Sequence, residues 1–596
     1  MGKLQELSMR YFPVLLLAFA TTICAQPAPK TVARPAPAVY STPDLAKLLG
    51  PKPADLRAII DWYTADERNL NLFYDVEFSP IRLKVLAAYY NTWLTAIDKL
   101  NFSEFSPGAR IDYVLLRTRM QRSLQQLAFD QQRFAEMQQL MPFALAIIEL
   151  KDARQRVDQL DPQKAAATIA SLSKQLDEVT KWIRNSDTKT SRTIGRRAAQ
   201  TLNQLRNQLE QWYKFYNGYE PLFGWWVAEP YKKLDKGLEA YAALVREKVA
   251  GLKKDDKDTI LGDPIGREAL LSELRAEYVP YTPEELVVIA NKEFAWCEKE
   301  MLRASADLGY GNDWKRALEH VKNLYVPPGK QTALVMELAT EAADYMTKND
   351  LLTIPPLAMD TWRMQMMTPE AQRLNPFFLG GESIIVSYPT DTMTHEEKLM
   401  SMRGNNPHFS RATVQHELIP GHRLQFYMTA RYKPYRQAFS TPFWTEGWAL
   451  YWELQLWDRG FPRSAEDRIG MLFWRMHRCA RIIFSLSFHL GTMTAQESVD
   501  FLVNKVGHEY ENAAGEVRRS FESRYSPLYQ SAYLLGGIQF RALHREMVAS
   551  GKMTNRAFHD LILQSGSMPV EMVRATVLGQ SINKDFATQW KFYQGF

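Results

Sequence analysis

The densest chemistry in the chain lies in Gln415-His416-Glu417-Leu418-Ile419-Pro420-Gly421-His422-Arg423-Leu424-Gln425. It is followed by Phe443-Trp444-Thr445-Glu446-Gly447-Trp448-Ala449-Leu450-Tyr451-Trp452-Glu453. Two imidazoles and a downstream carboxylate are what a catalytic zinc ion requires: three protein ligands, with a fourth position left for water. His416, His422 and Glu446 are the candidate ligands of one such ion. Glu417, beside the first of them, is then the candidate general base, because zinc lowers the pKa of its water to about 7. Glu453 lies seven residues beyond Glu446, about 20° away in helical projection, so the two share a face. That suits Glu453 to orient a ligand through a hydrogen bond, with Gln425 as a second supporting residue.

Spacing is the difficulty. Histidines four apart sit about 40° from each other on a helix, whereas six apart they diverge by about 120°. Pro420 and Gly421 intervene, and proline bends or widens a helix by removing a backbone donor. A two-residue bulge at Pro420-Gly421 is therefore required to return His422 to the side of His416. The alternative is structural: His416 capping a helix, His422 satisfying a carbonyl, and Glu446 complementing the dipole at a helix start.

The elements that must position these residues are overwhelmingly helical. From Asp44 to about Ala250, apolar residues recur at three- and four-residue spacing, as in Ile81-Arg-Leu-Lys-Val-Leu-Ala-Ala-Tyr-Tyr. Ser106-Pro107-Gly108, Asp161-Pro162 and Glu220-Pro221 mark helix ends. At Thr282-Pro283-Glu284-Glu285 the sequence predicts a capping box with proline at the first helical position. One strand stands out, Gly381 to Pro389, rich in β-branched residues. Ile384, Val386 and Tyr388 on it are either an edge for an extended peptide substrate or part of a buried strand. The fold class is mostly α, with one small β-sheet. The chain divides into a leader (1–25), a Pro/Ala-rich tether (26–43), a helical region (44–250) and a helical region carrying the metal motif (251–596).

Composition narrows the function classes. Hydrophobic residues make up 46% and charged residues 23% of the 596, which excludes a largely disordered chain. The net charge of +6 is thin for this length and interleaved with acids, so no nucleic-acid stripe is present. Lys3 and Arg10 precede a short apolar run ending at Cys24-Ala25, the pattern of a cleaved signal peptide. No later run is long enough to span a bilayer. The expected mature protein is exported, periplasmic or secreted. Cys297 and Cys479 are left as two buried thiols or one bridge. His477 reads as a core histidine, and His508 as structural or as a support to a site residue.

His416-Glu417-x-x-Pro420-Gly421-His422-x-x-Gln425 and Glu446-Gly447-Trp448-Ala449-Leu450-Tyr451 together resemble the DUF885 family of the zincin-like metallopeptidase clan. Glu516-Val517-Arg518-Arg519 and Pro527 through Tyr533 to Gly536 resemble its next motif. The resemblance runs from about Asp44 to Phe596. It implies a large, multi-helical gluzincin-like body, zinc on His416, His422 and Glu446, and Glu417 as base. Arg423 departs from the family, standing where many members carry a second histidine, and Ser520 stands where tyrosine is common. Acyl transfer also needs a donor for the oxyanion. Tyr533 is the first candidate and Arg519 the second, against a reading of Tyr533 as a core residue. The expected activity is hydrolysis of short peptides. Two other classes remain: a helical peptide-binding protein without catalysis, and a non-haem iron enzyme built on the same two-histidine, one-carboxylate set.

Overall fold

Short caps set most of the helix boundaries. The computed structural model describes residues 42–49, 53–185, 189–256, 258–372, 377–522 and 525–595. The leader at 1–25 and nearly all of the tether at 26–43 lie outside the described residues.

Among the longer helices are α1 (Arg57–Phe73), α2 (Pro80–Ile97), α3 (Pro107–Met137), α4 (Ala144–Gln155), α5 (Pro162–Asn185), α6 (Arg192–Tyr216), α7 (Pro221–Lys248), α8 (Pro283–Asp307) and α9 (Gln331–Lys348). The proline signals fall at helix starts, where a missing N–H costs nothing. Ser106 caps α3, Glu220 caps α7, and Asp161 accepts from the first amides of α5. The capping box of α8 is present in full: Glu285 N–H donates to Thr282 Oγ1 at 3.2 Å and Thr282 N–H donates to Glu285 Oε2 at 2.8 Å.

The helical region is interrupted by β1 (Arg363–Met366) and β2 (Ser383–Val386), a parallel pair. Helices then resume with α10 (Pro407–Glu417), α11 (His422–Thr429), α12 (Pro442–Asp458), α13 (Ala465–His489), α14 (Tyr510–Glu522) and α15 (Tyr529–His544). The mostly α class with one small sheet is what the structure has. β1 escaped the sequence reading because Arg-Met-Gln-Met lacks β-branched residues and is largely exposed.

Among the described residues, buried apolar side chains gather into three clusters. The largest joins Leu45–Met120 to Leu270–Phe592, and a second is built from Val76, Phe78 and residues 137–249. The third packs Ile384 and Val386 against Val335 and Leu338 of α9 and Val414 of α10. The sheet therefore supports the back of the helix that ends in His416-Glu417.

Two features fix the rest of the site's frame. Gly447 of α12 meets Gly536 of α15 so closely that a Cβ on Gly447 would lie 2.7 Å from the Gly536 Cα. Backbones touch there, and only glycine permits it. α13 is buried from Ile469 to His489, including Arg475, Arg478 and Arg481. Buried guanidiniums demand acceptors. Arg475 finds Glu293 at 3.2 Å and stacks on Trp296 at 4.1 Å.

Candidate metal centre

α10 carries His416 and Glu417 in its last turn, and the helix then stops. Leu418 leaves helical geometry (φ −109°, ψ −107°), and α11 begins at His422 after Gly421 (φ −78°, ψ −132°). The expected bulge inside a continuous helix is thus replaced by a break between two helices. Long bonds span the break: Gly421 N–H donates to Gln415 O at 3.1 Å and Leu424 N–H to Leu418 O at 3.3 Å. Trp448 Nε1–H pins the Pro420 carbonyl at 2.9 Å. Gly421 has to be glycine, because a Cβ there would collide with the His416 carbonyl. The consequence for the imidazoles is the one the spacing demanded. Their ring centroids lie 4.8 Å apart at 88°.

Glu446 arrives from the first turns of α12. Its Oε2 lies 3.1 Å from His422 Nε2 and 3.5 Å from His416 Nε2. Metal–ligand bonds of 2.0–2.1 Å in a tetrahedron put donor atoms about 3.3–3.4 Å apart, so this spacing fits a zinc-sized ion. Glu417 Oε2 is 3.9 Å from His422 Nε2, and ligand atoms of His416, Glu417 and His422 all fall within 4.8 Å of one another. His416 Nδ1 is held by Glu453 Oε1 at 2.7 Å, the carboxylate–histidine arrangement that fixes a metal-binding ring. The donor set and its support therefore fit a divalent cation on His416, His422 and Glu446. Gln425 acts one step back: its Nε2 donates to Trp444 O at 3.0 Å, tying α11 to the turn that carries Glu446.

Electrostatics in the metal-free state follow from burial and these contacts. Burial disfavours a charged His416, but the hydrogen bonds to Glu446 and Glu453 outweigh it and raise its pKa to about 9. Burial likewise resists ionisation of Glu446, yet the charge of His422 and the two imidazole hydrogen bonds hold it well below the ordinary carboxylate value. Burial raises Glu417, only partly countered by the imidazoles. A raised imidazole must shed its proton to accept a metal, so cation binding competes with protons below pH 9. The affinity of the chelator-treated protein for an added divalent cation such as zinc should climb about tenfold per pH unit from pH 7 and level off above 9. Competition against a chelating dye measures it; a flat profile over that range contradicts a protonated His416.

These groups face a cavity of about 390 Å³ whose wall includes Phe426, Trp474, Tyr525, Tyr529 and Tyr533. Tyr533 is buried, with its ring parallel to that of His416 at 6.2 Å. It is at once a core residue and part of the cavity wall. Arg519 lines the same cavity, with its Nη2 3.5 Å from Glu516 Oε2. Burial resists ionisation of Glu516, but Arg481 and Arg519 hold its carboxyl down at about 2.

The open substrate edge at Ile384, Val386 and Tyr388 is not there. β2 is bonded to β1 on one side, and on the other Ile385 exchanges both backbone hydrogen bonds with Leu379. Ile384 and Val386 are core side chains, and Gln372 occupies both backbone groups of Tyr388. Ile385 is the residue of β2 that reaches the cavity.

Several positions of the candidate site escaped the sequence reading. Tyr529 donates to Glu446 Oε1 at 2.6 Å. The signal was its place four residues before Tyr533, on the same face of α15. Gly380 lies so close over Glu417 that any Cβ would strike its carboxylate. In the sequence Gly380 stands just before the strand expected from Gly381 and gave no other signal. Arg478 and Arg481 reach the cavity from α13. Arg423 does not line it; its Nη2 donates to Thr361 Oγ1 at 2.7 Å. His477 and His508 bond each other at 2.9 Å in a buried pair, and Cys297 and Cys479 are free buried thiols.

Against known proteins, the sequence matches a family described as "Bacterial protein of unknown function (DUF885)" over residues 75–577. No curated protein matches it. Among solved structures, a candidate lipoprotein of unknown function from Shewanella oneidensis aligns with a TM-score of 0.62 at 15% identity. The match covers 87% of this chain and 99% of that one. A candidate lipoprotein from Colwellia psychrerythraea aligns with a TM-score of 0.52 at 15% identity, covering 84% and 91%. At such identity the likeness speaks to the fold alone. The family match takes in all of the candidate metal ligands and most of the helices that frame them, and the chain belongs to DUF885.

Proposed function

We propose that the protein is an exported, zinc-dependent hydrolase that cleaves short peptides. The observation that carries this reading is the convergence of His416 Nε2, His422 Nε2 and Glu446 Oε2 on one point, with the Glu417 carboxylate beside it. A zinc ion held there would polarise a carbonyl and lower the pKa of a water molecule at the open position.

The chain's own groups supply the rest. Glu417 takes the proton of the attacking water and passes it to the departing amine, and burial raises its pKa, which favours holding that proton between the two transfers. Glu453 fixes the ring of His416. Tyr533 lines the cavity as the candidate donor to a developing oxyanion, with Arg519 facing the same space, while the one hydroxyl proton of Tyr529 is committed to Glu446. Export is supported by the basic and apolar leader; among the described residues no helix is long and apolar enough to cross a membrane.

The test is digestion of a mixed peptide library, read by mass spectrometry, by the purified chain with and without a chelator. Cleavage that chelation abolishes and zinc restores is expected. Metal bound at one ion per chain with no peptide cleaved removes the hydrolase reading.

A further inference from the structure

Three guanidiniums share the wall of the cavity that holds the candidate ligands, and the acids beside them are already engaged. Arg478 and Arg481 come from α13 and Arg519 from α14, and all three line the space that His416 and Glu417 face. Glu453 stands 3.7 Å from Arg478 but is taken by His416 Nδ1. Glu516 is divided between Arg481 at 2.7 Å and Arg519 at 3.5 Å.

Two of these arginines have buried donors to spare. Arg478 is 6% exposed and its guanidinium makes no hydrogen bond to any described residue, its nearest acid oxygen lying 3.7 Å away; Arg481 is 3% exposed and gives only its Nε, to Glu516, leaving Nη1 without a partner. Buried charged donors left unmet are costly. Both guanidiniums lie over the ring of Tyr533, at 4.7 and 4.6 Å from its centroid, and that ring in turn lies 6.2 Å from His416. The donors are therefore one aromatic ring removed from the metal ligands. The guanidinium fork matches a carboxylate with two parallel hydrogen bonds.

We propose that Arg478 and Arg481 form a carboxylate subsite, so that the substrate is a short peptide whose carboxylate lies within a residue or two of the scissile bond. Calling the ligand a substrate rests on the hydrolase reading above; the subsite itself does not. A cavity of about 390 Å³ stands near the small end of ligand pockets, consistent with a short ligand anchored at one end. A free C-terminus and an acidic side chain offer the same chemistry.

The test is calorimetric binding to the full chain, as purified and again after chelation, so that neither turnover nor a metal–carboxylate contact is needed for the readout. The probes are acetyl-glycyl-phenylalanine as free acid, its C-terminal amide, and acetyl-glycyl-glutamyl amide, whose only carboxylate is on the side chain. One carboxylate probe is expected to bind about thirtyfold more tightly than the neutral amide, before and after chelation. Tighter binding of the first assigns the carboxylate to the C-terminus, and of the third to an acidic side chain.

Arg478→Gln and Arg481→Gln should each bring acid and amide to within about threefold. Arg478→Lys, which keeps the charge but loses the fork, should retain part of the preference and guards against misfolding of the glutamine variants. Equal binding of acid and amide, no binding of any probe, or a preference untouched by all three substitutions overturns the subsite. A preference that holds in a protein that cleaves nothing refutes the hydrolase reading and leaves the subsite standing.

Discussion

Glu417→Gln should lower peptide turnover by roughly 10²–10⁴-fold, the range a positioned general base contributes, while zinc content stays at one ion per chain. The amide keeps the size of the carboxylate but cannot accept a proton, so the change is confined to the transfer step. Gly380 leaves room for a side chain of this size and no more, since its Cα packs directly on the carboxylate. Glutamine is therefore the variant that tests chemistry without disturbing packing. Elemental analysis and progress curves on the same preparation separate the two quantities. Full turnover by the glutamine variant would defeat the assignment of Glu417, and loss of zinc would mean that Glu417 is itself a ligand.

Glu446→Ala should abolish zinc binding and activity together and destabilise the metal-free protein by about 3–5 kcal/mol, the usual cost of removing one partner from a buried ionic cluster. Glu446 is 7% exposed and accepts from His422, His416 and Tyr529. Its removal leaves a raised imidazole without one of the two carboxylates that stabilise its charge, and the part-buried Tyr529 hydroxyl without its acceptor. Because that stabilisation belongs to protonated His416, it should be largest below about pH 6.5 and fade as pH rises through 9. Denaturant melts of the stripped variant and parent at pH 6 and pH 9.5 read both the size and the direction. An equal difference at the two pH values would contradict it.

The parts of the site that were legible in the sequence are those governed by local rules. Glu446 and Glu453 fell on one face because they sit seven apart on one helix, and the capping box of α8 formed because its residues are contiguous. The convergence of His416 and His422 could be inferred as a requirement, but the break that achieves it depends on Trp448 holding the Pro420 carbonyl, a contact across 28 residues. Non-local pairing decided the rest. Ile384, Val386 and Tyr388 look like a strand edge until Leu379 and Gln372 occupy it. Arg478 and Arg481 gave no signal as site residues, because a charge on a helix normally reads as a solvated face and here the helix is buried all round.

The contact of Gly447 with Gly536 has a consequence for how this scaffold can change. With two backbones touching, the acid on one helix and the tyrosines on the other are locked into a single rigid block, and no substitution at the crossing can retune their separation. Altered preference among ligands has to be written elsewhere, into Phe377, Leu379 and Ile385, which line the chamber and are only partly buried.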